Sequence, residues 1–189
     1  MVAVGIDRGG ADALRPFVEA AGVTFPVLVD TAGVCSQAFD FKAIPNGLLV
    51  DEDLVVRYRK AGGFKHENEP DRAAVERFFA GEDPGPSPEP AAPYELGPME
   101  RELVATHMRL GDLLASMGRK DEAVAEWQAA LRLDPENLTI RKPIWMALHP
   151  DRFHPVIDRE WQRVQLKAER EAEIAAGICG PDGCPLPRG

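Results

Sequence analysis

The sequence predicts an α/β segment followed by an all-α segment, and three observations carry that reading. Apolar strand-like runs alternate with helical stretches as far as about residue 80. Six prolines then crowd residues 81–98, where backbone donors are scarce and extended polyproline geometry is favoured. From Met99 onward the apolar spacing is helical. The organisation read from these shifts is an α/β domain over residues 1–80, a semi-rigid linker over 81–98, a helical segment over 99–148, a last helix over 149–177 and a cysteine-containing tail over 178–189.

Residues 2–6 form a continuous apolar run, as expected of a strand covered on both faces. Leu14, Phe17, Val18 and Ala21 recur at steps of three and four, which makes one face of a helix over 11–21, and Gly22 is placed to end it. Residues 25–30 read as a second buried strand, and 33–39 as a short helix with Val34, Ala38 and Phe39 inward. Strands at 46–50 and 54–59 flank Asp51-Glu52-Asp53 as a hairpin. A helix over 70–79 closes the segment, with Pro70 in its first turn and Ala74, Val75, Phe78 and Phe79 inward. The order β-α-β-α-β-β-α predicts one mixed sheet with helices on both faces.

In the all-α segment, residues 100–117 carry Leu103, Val104, Met108, Leu110 and Leu114, and residues 120–133 carry Ala123, Val124, Trp127, Ala130 and Leu131. Gly118 separates the two helices and Asp134-Pro135 ends the second. A third helix, over about 138–148, has Pro143 in its first turn or kinked by it. A last helix, over about 158–176, shows Trp161, Val164, Ala168, Ala172 and Ala175 on one narrow stripe, with Gly177 as its stop.

Over 189 residues the apolar fraction of 44% supports a packed core. A net charge of −9 without any cluster of Lys and Arg argues against nucleic acid, whose phosphates are held by clustered cations. No apolar run approaches the ~20 residues of a membrane span, and no basic-then-apolar leader opens the chain, so the expected location is the cytoplasm. Three cysteines, Cys35, Cys179 and Cys184, are too few for a disulfide scaffold.

Read alone, Pro45 is an ordinary strand-start proline. In context, the order of elements from the run Val2-Ala3-Val4-Gly5-Ile6-Asp7, through Phe25-Pro26-Val27-Leu28-Val29-Asp30, to Ala43-Ile44-Pro45 before a strand ending in Asp51 resembles the thioredoxin superfamily, most closely its redoxin members. That resemblance implies an incomplete thioredoxin-like domain, with Pro45 as a cis-proline and Ile44 as the residue whose backbone meets a substrate peptide. It departs from the family in one respect that decides the chemistry. The Cys-x-x-Cys or single reactive Cys expected after an earlier strand has no counterpart in this sequence, which leads to the expectation of a fragment of a longer protein. Cys35 has no adjacent His or Lys and reads as a small buried hydrophobe, with a resolving-cysteine role as the alternative.

Leu110-Gly111, Leu114, Gly118, Ala123, Trp127, Ala130, Leu131 and Pro135 fall at the spacing of a tetratricopeptide repeat, and the helical pair resembles that family. His107 and Lys120 depart from its signature. The resemblance implies a protein partner, and the alternative is a helical hairpin used only for packing. His149 and His154 are five apart across a proline, which does not suit a helical metal pair. In the tail, Cys179-Gly180-Pro181-Asp182-Gly183-Cys184 offers three readings: a redox-active pair, a soft-metal site, or incidental cysteines.

The function expected from the resemblances is the carboxyl-terminal portion of a redoxin-type thiol–disulfide oxidoreductase or thiol peroxidase, fused to a repeat-type interaction module. Its partners would be a thiol or disulfide protein or a peroxide, and no cofactor is implied. The alternative is a non-catalytic interaction protein that uses the helical hairpin on a thioredoxin-fold platform.

Overall fold

A computed structural model describes residues 1–7, 9–88, 94–154 and 156–179. Two compact units divide the chain between Phe41 and Lys42, not within the proline-rich stretch.

The first unit contains β1 (Ala3–Ile6), α1 (Gly10–Ala21), β2 (Val27–Asp30) and α2 (Val34–Ala38). β1 and β2 are parallel neighbours, Ala3 opposite Val27 and Ile6 opposite Asp30, with α1 as the crossover. Leu14 of α1 lies over Gly5, where an added Cβ would sit 2.2 Å from its Cδ1, so the absent side chain is what lets helix and strand close. Gly22 ends α1 in the left-handed region, its N–H donating to the Glu19 carbonyl.

Coverage of β1 and β2 on both faces is not found. Ala3, Gly5, Val27 and Val29 are half-buried, while Val4 and Leu28, opposite each other in register, are exposed. A two-stranded ribbon with one crossover helix has one face to bury, so the apolar runs alternate in burial. The same shortage of cover leaves Phe17 exposed on α1, and Val34 and Ala38 exposed on α2, where Cys35 and Ser36 turn inward instead.

The second unit begins with β3 (Asn46–Val50), β4 (Val56–Ala61) and α3 (Glu69–Phe79). The strands are antiparallel, Asn46 opposite Ala61, with a register shift at Leu49/Val50. Asp51 organises their turn by accepting the N–H groups of Asp53 and Val55, which delays β4 to Val56. Asn68 caps α3 by accepting from Asp71 N–H. Leu49, Tyr58 and Ala74 form the local core with Phe64, Val75 and Phe78, whereas Phe79 faces solvent. Buried Asp71 accepts from Lys65 N–H and meets Lys60 at 3.0 Å. Burial raises its carboxyl, but these donors outweigh it and hold the group below the usual carboxylate range. Among the described residues, β1–β2 and β3–β4 are two separate two-stranded sheets, where one mixed sheet was expected.

Four longer helices follow: α4 (Pro98–Ser116), α5 (Lys120–Leu133), α6 (Leu138–Leu148) and α7 (Arg159–Ala175), with a 3₁₀ turn at Pro150–Arg152. Pro98 opens α4, Asn137 caps α6 through Thr139 N–H, and Asp158 caps α7 through Trp161 N–H. Leu114, Ala123, Val124, Trp127 and Ile144 form one core cluster, and Leu96, Val104, Ala130 and Ile140 another, with Met108 and Leu131 packed against both. Pro143 lies inside α6, beyond its first turn.

The proline-rich stretch is more than a spacer where it is described. Ser87 Oγ accepts the Arg59 N–H of β4, and Leu96 is buried among the helices. These contacts explain why β3, β4 and α3 belong to the same compact unit as the helices.

Candidate functional site

The helical hairpin α4–α5 is built around one close approach. Trp127 lies flat against Gly111, where an added Cβ would be 2.4 Å from the indole Nε1 and 2.5 Å from Cδ1. The indole N–H donates to Asp112 at 2.9 Å, which satisfies the polar edge of a buried ring. Ala123 and Ala130 are fully buried and let the two helices approach closely. His107, at the position where the repeat signature has an aromatic, has its Nδ1 2.7 Å from a Glu126 carboxylate oxygen across the hairpin.

Beyond the hairpin α6 packs Ile140 and Ile144 into the apolar clusters, and charge joins ring contacts in holding α7 to α6. Arg141 of α6, 1% exposed, bonds Glu169 and Glu173 of α7 at 2.7 Å each and the Pro135 carbonyl at 2.9 Å. Glu169 also accepts from Trp145 Nε1 at 2.6 Å, and Arg170 pairs with Glu136. Trp161 closes the outer end, edge-on to Trp145 and Phe153 and beside His149.

The stripe expected to bury α7 is therefore corrected. Trp161 packs inward, but Val164, Ala168, Ala172 and Ala175 are exposed. The docked face carries Gln165, Glu169 and Glu173, made tolerable there by the Arg141 guanidinium.

A second buried polar cluster centres on Asp134, 1% exposed. Lys42 Nζ reaches its carboxylate at 2.9 Å, Tyr94 OH at 2.8 Å and Asn137 Nδ2 at 2.7 Å. Leu138 N–H donates to the Lys42 carbonyl, so the start of the second unit is sewn to the α5–α6 loop.

Ile44 and Pro45 are exposed ahead of β3, their peptide bond is cis, and the Pro45 carbonyl accepts Gly62 N–H. Cys35 is a free thiol on α2, beside Asp30, whose carboxylate accepts the N–H groups of Val34 and Cys35. Cys179 is buried and disulfide-bonded, with its N–H on the Glu173 carbonyl. Cys184 lies outside the described residues. His149 packs on Trp161, His154 is exposed, and no group of three or more His, Cys, Asp or Glu is placed to hold a metal among the described residues. No described helix is long and apolar enough to cross a membrane. Sequence reading missed Arg141 and the Lys42–Asp134 pair, because their partners lie 28, 32 and 92 positions away.

Burial, then the Asp30 carboxylate, push the Cys35 thiol up. Less of it is thiolate near neutral pH, so alkylation of the native protein by iodoacetamide at pH 8 is expected to run slower than for a free thiol. Asp30→Asn keeps an acceptor oxygen and removes the charge, and it should speed the reaction. A native rate equal to that of the denatured chain would sink this account.

The tetratricopeptide-repeat family model matches residues 104–137, which run from the second turn of α4 through the cap of α6. No match was found among curated proteins or among solved structures.

Proposed function

We propose that this protein works as a protein–protein interaction module, with the repeat hairpin α4–α5 extended by α6 and α7 as its binding scaffold. The observation that carries this reading is the hairpin itself, closed by Trp127 on Gly111 within the matched repeat. α7 is docked through its glutamate face and presents Val164, Ala168, Ala172 and Ala175 to solvent. Ordered apolar surface on a rigid helix is what a protein partner uses, because little conformational entropy is lost on docking.

Affinity capture from cells of origin tests the reading, with Val164→Glu/Ala172→Glu as the matched bait. Both positions are exposed, so stability should be unchanged and partner enrichment should fall at least ~10-fold. Enrichment that is identical for both baits and for an unrelated acidic protein would overturn it.

A finer reading takes residues 1–80 as the carboxyl-terminal portion of a redoxin-type domain. What favours it is the order of elements alone, β1-α1-β2 followed by β3-β4-α3, in two separate two-stranded sheets. On this reading Cys35, whose thiol is pushed up by burial and then by the Asp30 carboxylate, is not the reactive thiol. The chain of 189 residues is then inactive in a disulfide-reduction assay. Intact mass of the native protein decides: a mass well above 20.7 kDa with a Cys-x-x-Cys peptide supports the reading, and a mass of 20.7 kDa sinks it.

A further inference from the structure

α4 is apolar on two faces. One face, with Val104, Ala105, Gly111 and Leu114, is buried against the rest of the unit. The other carries Met99, Leu103, Leu110, Leu113 and Met117, exposed at 74%, 43%, 41%, 57% and 60%. With Thr106 these positions step 4-3-4-3-4, the heptad spacing that keeps one seam in line along a helix. An apolar seam at that spacing fits another helix lying nearly along its axis. A helix that is apolar on both sides is ordinarily covered on both.

The occupant follows from the order of the seam. Forward it runs Met-Leu-Thr-Leu-Leu-Met and backward Met-Leu-Leu-Thr-Leu-Met, so it is close to its own mirror about a point between Thr106 and Leu110. An antiparallel two-fold pairing sets Met99 against Met117 of the second copy, Leu103 against Leu113, and Thr106 against Leu110. That is the self-complementarity an isologous contact requires.

The charges beside the seam do not oppose it. Glu102 is paired with Arg109 at 2.9 Å on one flank, and His107 with Glu126 at 2.7 Å on the other. Antiparallel packing also sets the positive N-terminal end of each α4 beside the partner's negative C-terminal end.

We propose that two copies of this chain associate through α4, antiparallel about a two-fold axis beside Thr106 and Leu110. α4 has 19 residues, about 28 Å of helix, so the contact falls at the low end of the ~1,200–2,000 Å² of a standard interface. The dimer is accordingly weak, with a Kd of order 10 μM. The contact is independent of partner capture through α7.

Sedimentation equilibrium of the full chain from about 1 to 200 μM tests it by bracketing that Kd. The mass should rise from 20.7 kDa toward twice that value. Leu113→Lys and Leu110→Lys should each raise Kd at least ~10-fold while leaving Tm unchanged, because both sites are exposed. A monomer at every concentration, or a dimer indifferent to both lysines, overturns the proposal. Orientation is read in a Cys35→Ser background with a short bis-maleimide. Met99→Cys mixed with Met117→Cys should cross-link between variants, since antiparallel pairing holds like positions about 27 Å apart. Faster cross-linking of either variant to itself overturns the antiparallel pairing.

Discussion

Arg141→Ala is expected to cost about 3–5 kcal/mol and to release α7 from the array. The guanidinium is nearly inaccessible and holds two carboxylates that are themselves only partly exposed. Its removal leaves Glu169 and Glu173 facing each other without a cation, and frees the Pro135 carbonyl as well. For a chain of this size the loss corresponds to a fall in Tm of about 10 °C. Trp145 and Trp161 report the event, because their edge-on contact spans the α6–α7 junction and their emission should shift to the red.

Arg141→Met separates packing from charge. It restores much of the apolar stem yet removes the cation between the two carboxylates, so it should be nearly as damaging as alanine. Adding Glu169→Gln and Glu173→Leu should recover most of the loss, since an apolar replacement of the whole cluster is often neutral. Glutamine at 169 still accepts from Trp145 Nε1. An unchanged Tm for Arg141→Met would show that the ion pairs do not hold α7.

Trp127→Ala is the second large effect, at about 3–5 kcal/mol, because it empties the centre of the hairpin and removes the indole bond to Asp112. Circular dichroism should record lower helicity and an earlier melt. Gly111→Ala is the more discriminating companion. Within a helix, alanine in place of glycine ordinarily stabilises by about 1 kcal/mol. Here the added methyl would meet the indole ring, and overpacking of that kind costs about 1–3 kcal/mol. The expected sign is therefore net destabilisation, converted to a gain when Trp127→Leu makes room. Such a coupling between two contacting residues is what a double-mutant cycle measures. A stabilised Gly111→Ala in the otherwise native chain would refute the close approach.

The helices were the most legible part of the sequence, because apolar spacing and caps sit within a few residues of one another. The limits of α5 and α6 agree with the helices read over 120–133 and about 138–148. Burial was less legible. The Trp161–Ala175 stripe has the right period for an inward face, yet Arg141 draws the glutamates of the other face inward. In the α/β segment, strand-like runs were visible, but whether a strand is covered once or twice depends on its neighbours. Val4 and Leu28 are apolar and exposed because only one face of their ribbon is packed. The unit boundary at 41/42 was hidden for a similar reason, since composition marks the prolines while the buried pairing of Lys42 is a matter of distant chain.

The buried cluster on Asp134 has a consequence for how the second unit melts. Lys42, Tyr94 and Asn137 each satisfy part of one carboxylate, so none of their segments can leave without stranding a charge away from water. The segment ahead of β3, the stretch before α4 and the α5–α6 loop are therefore expected to unfold together. A cut in the proline-rich stretch would run through the middle of that unit, and a shortened chain that keeps α4–α7 whole carries its lysine with it only if it starts before residue 42.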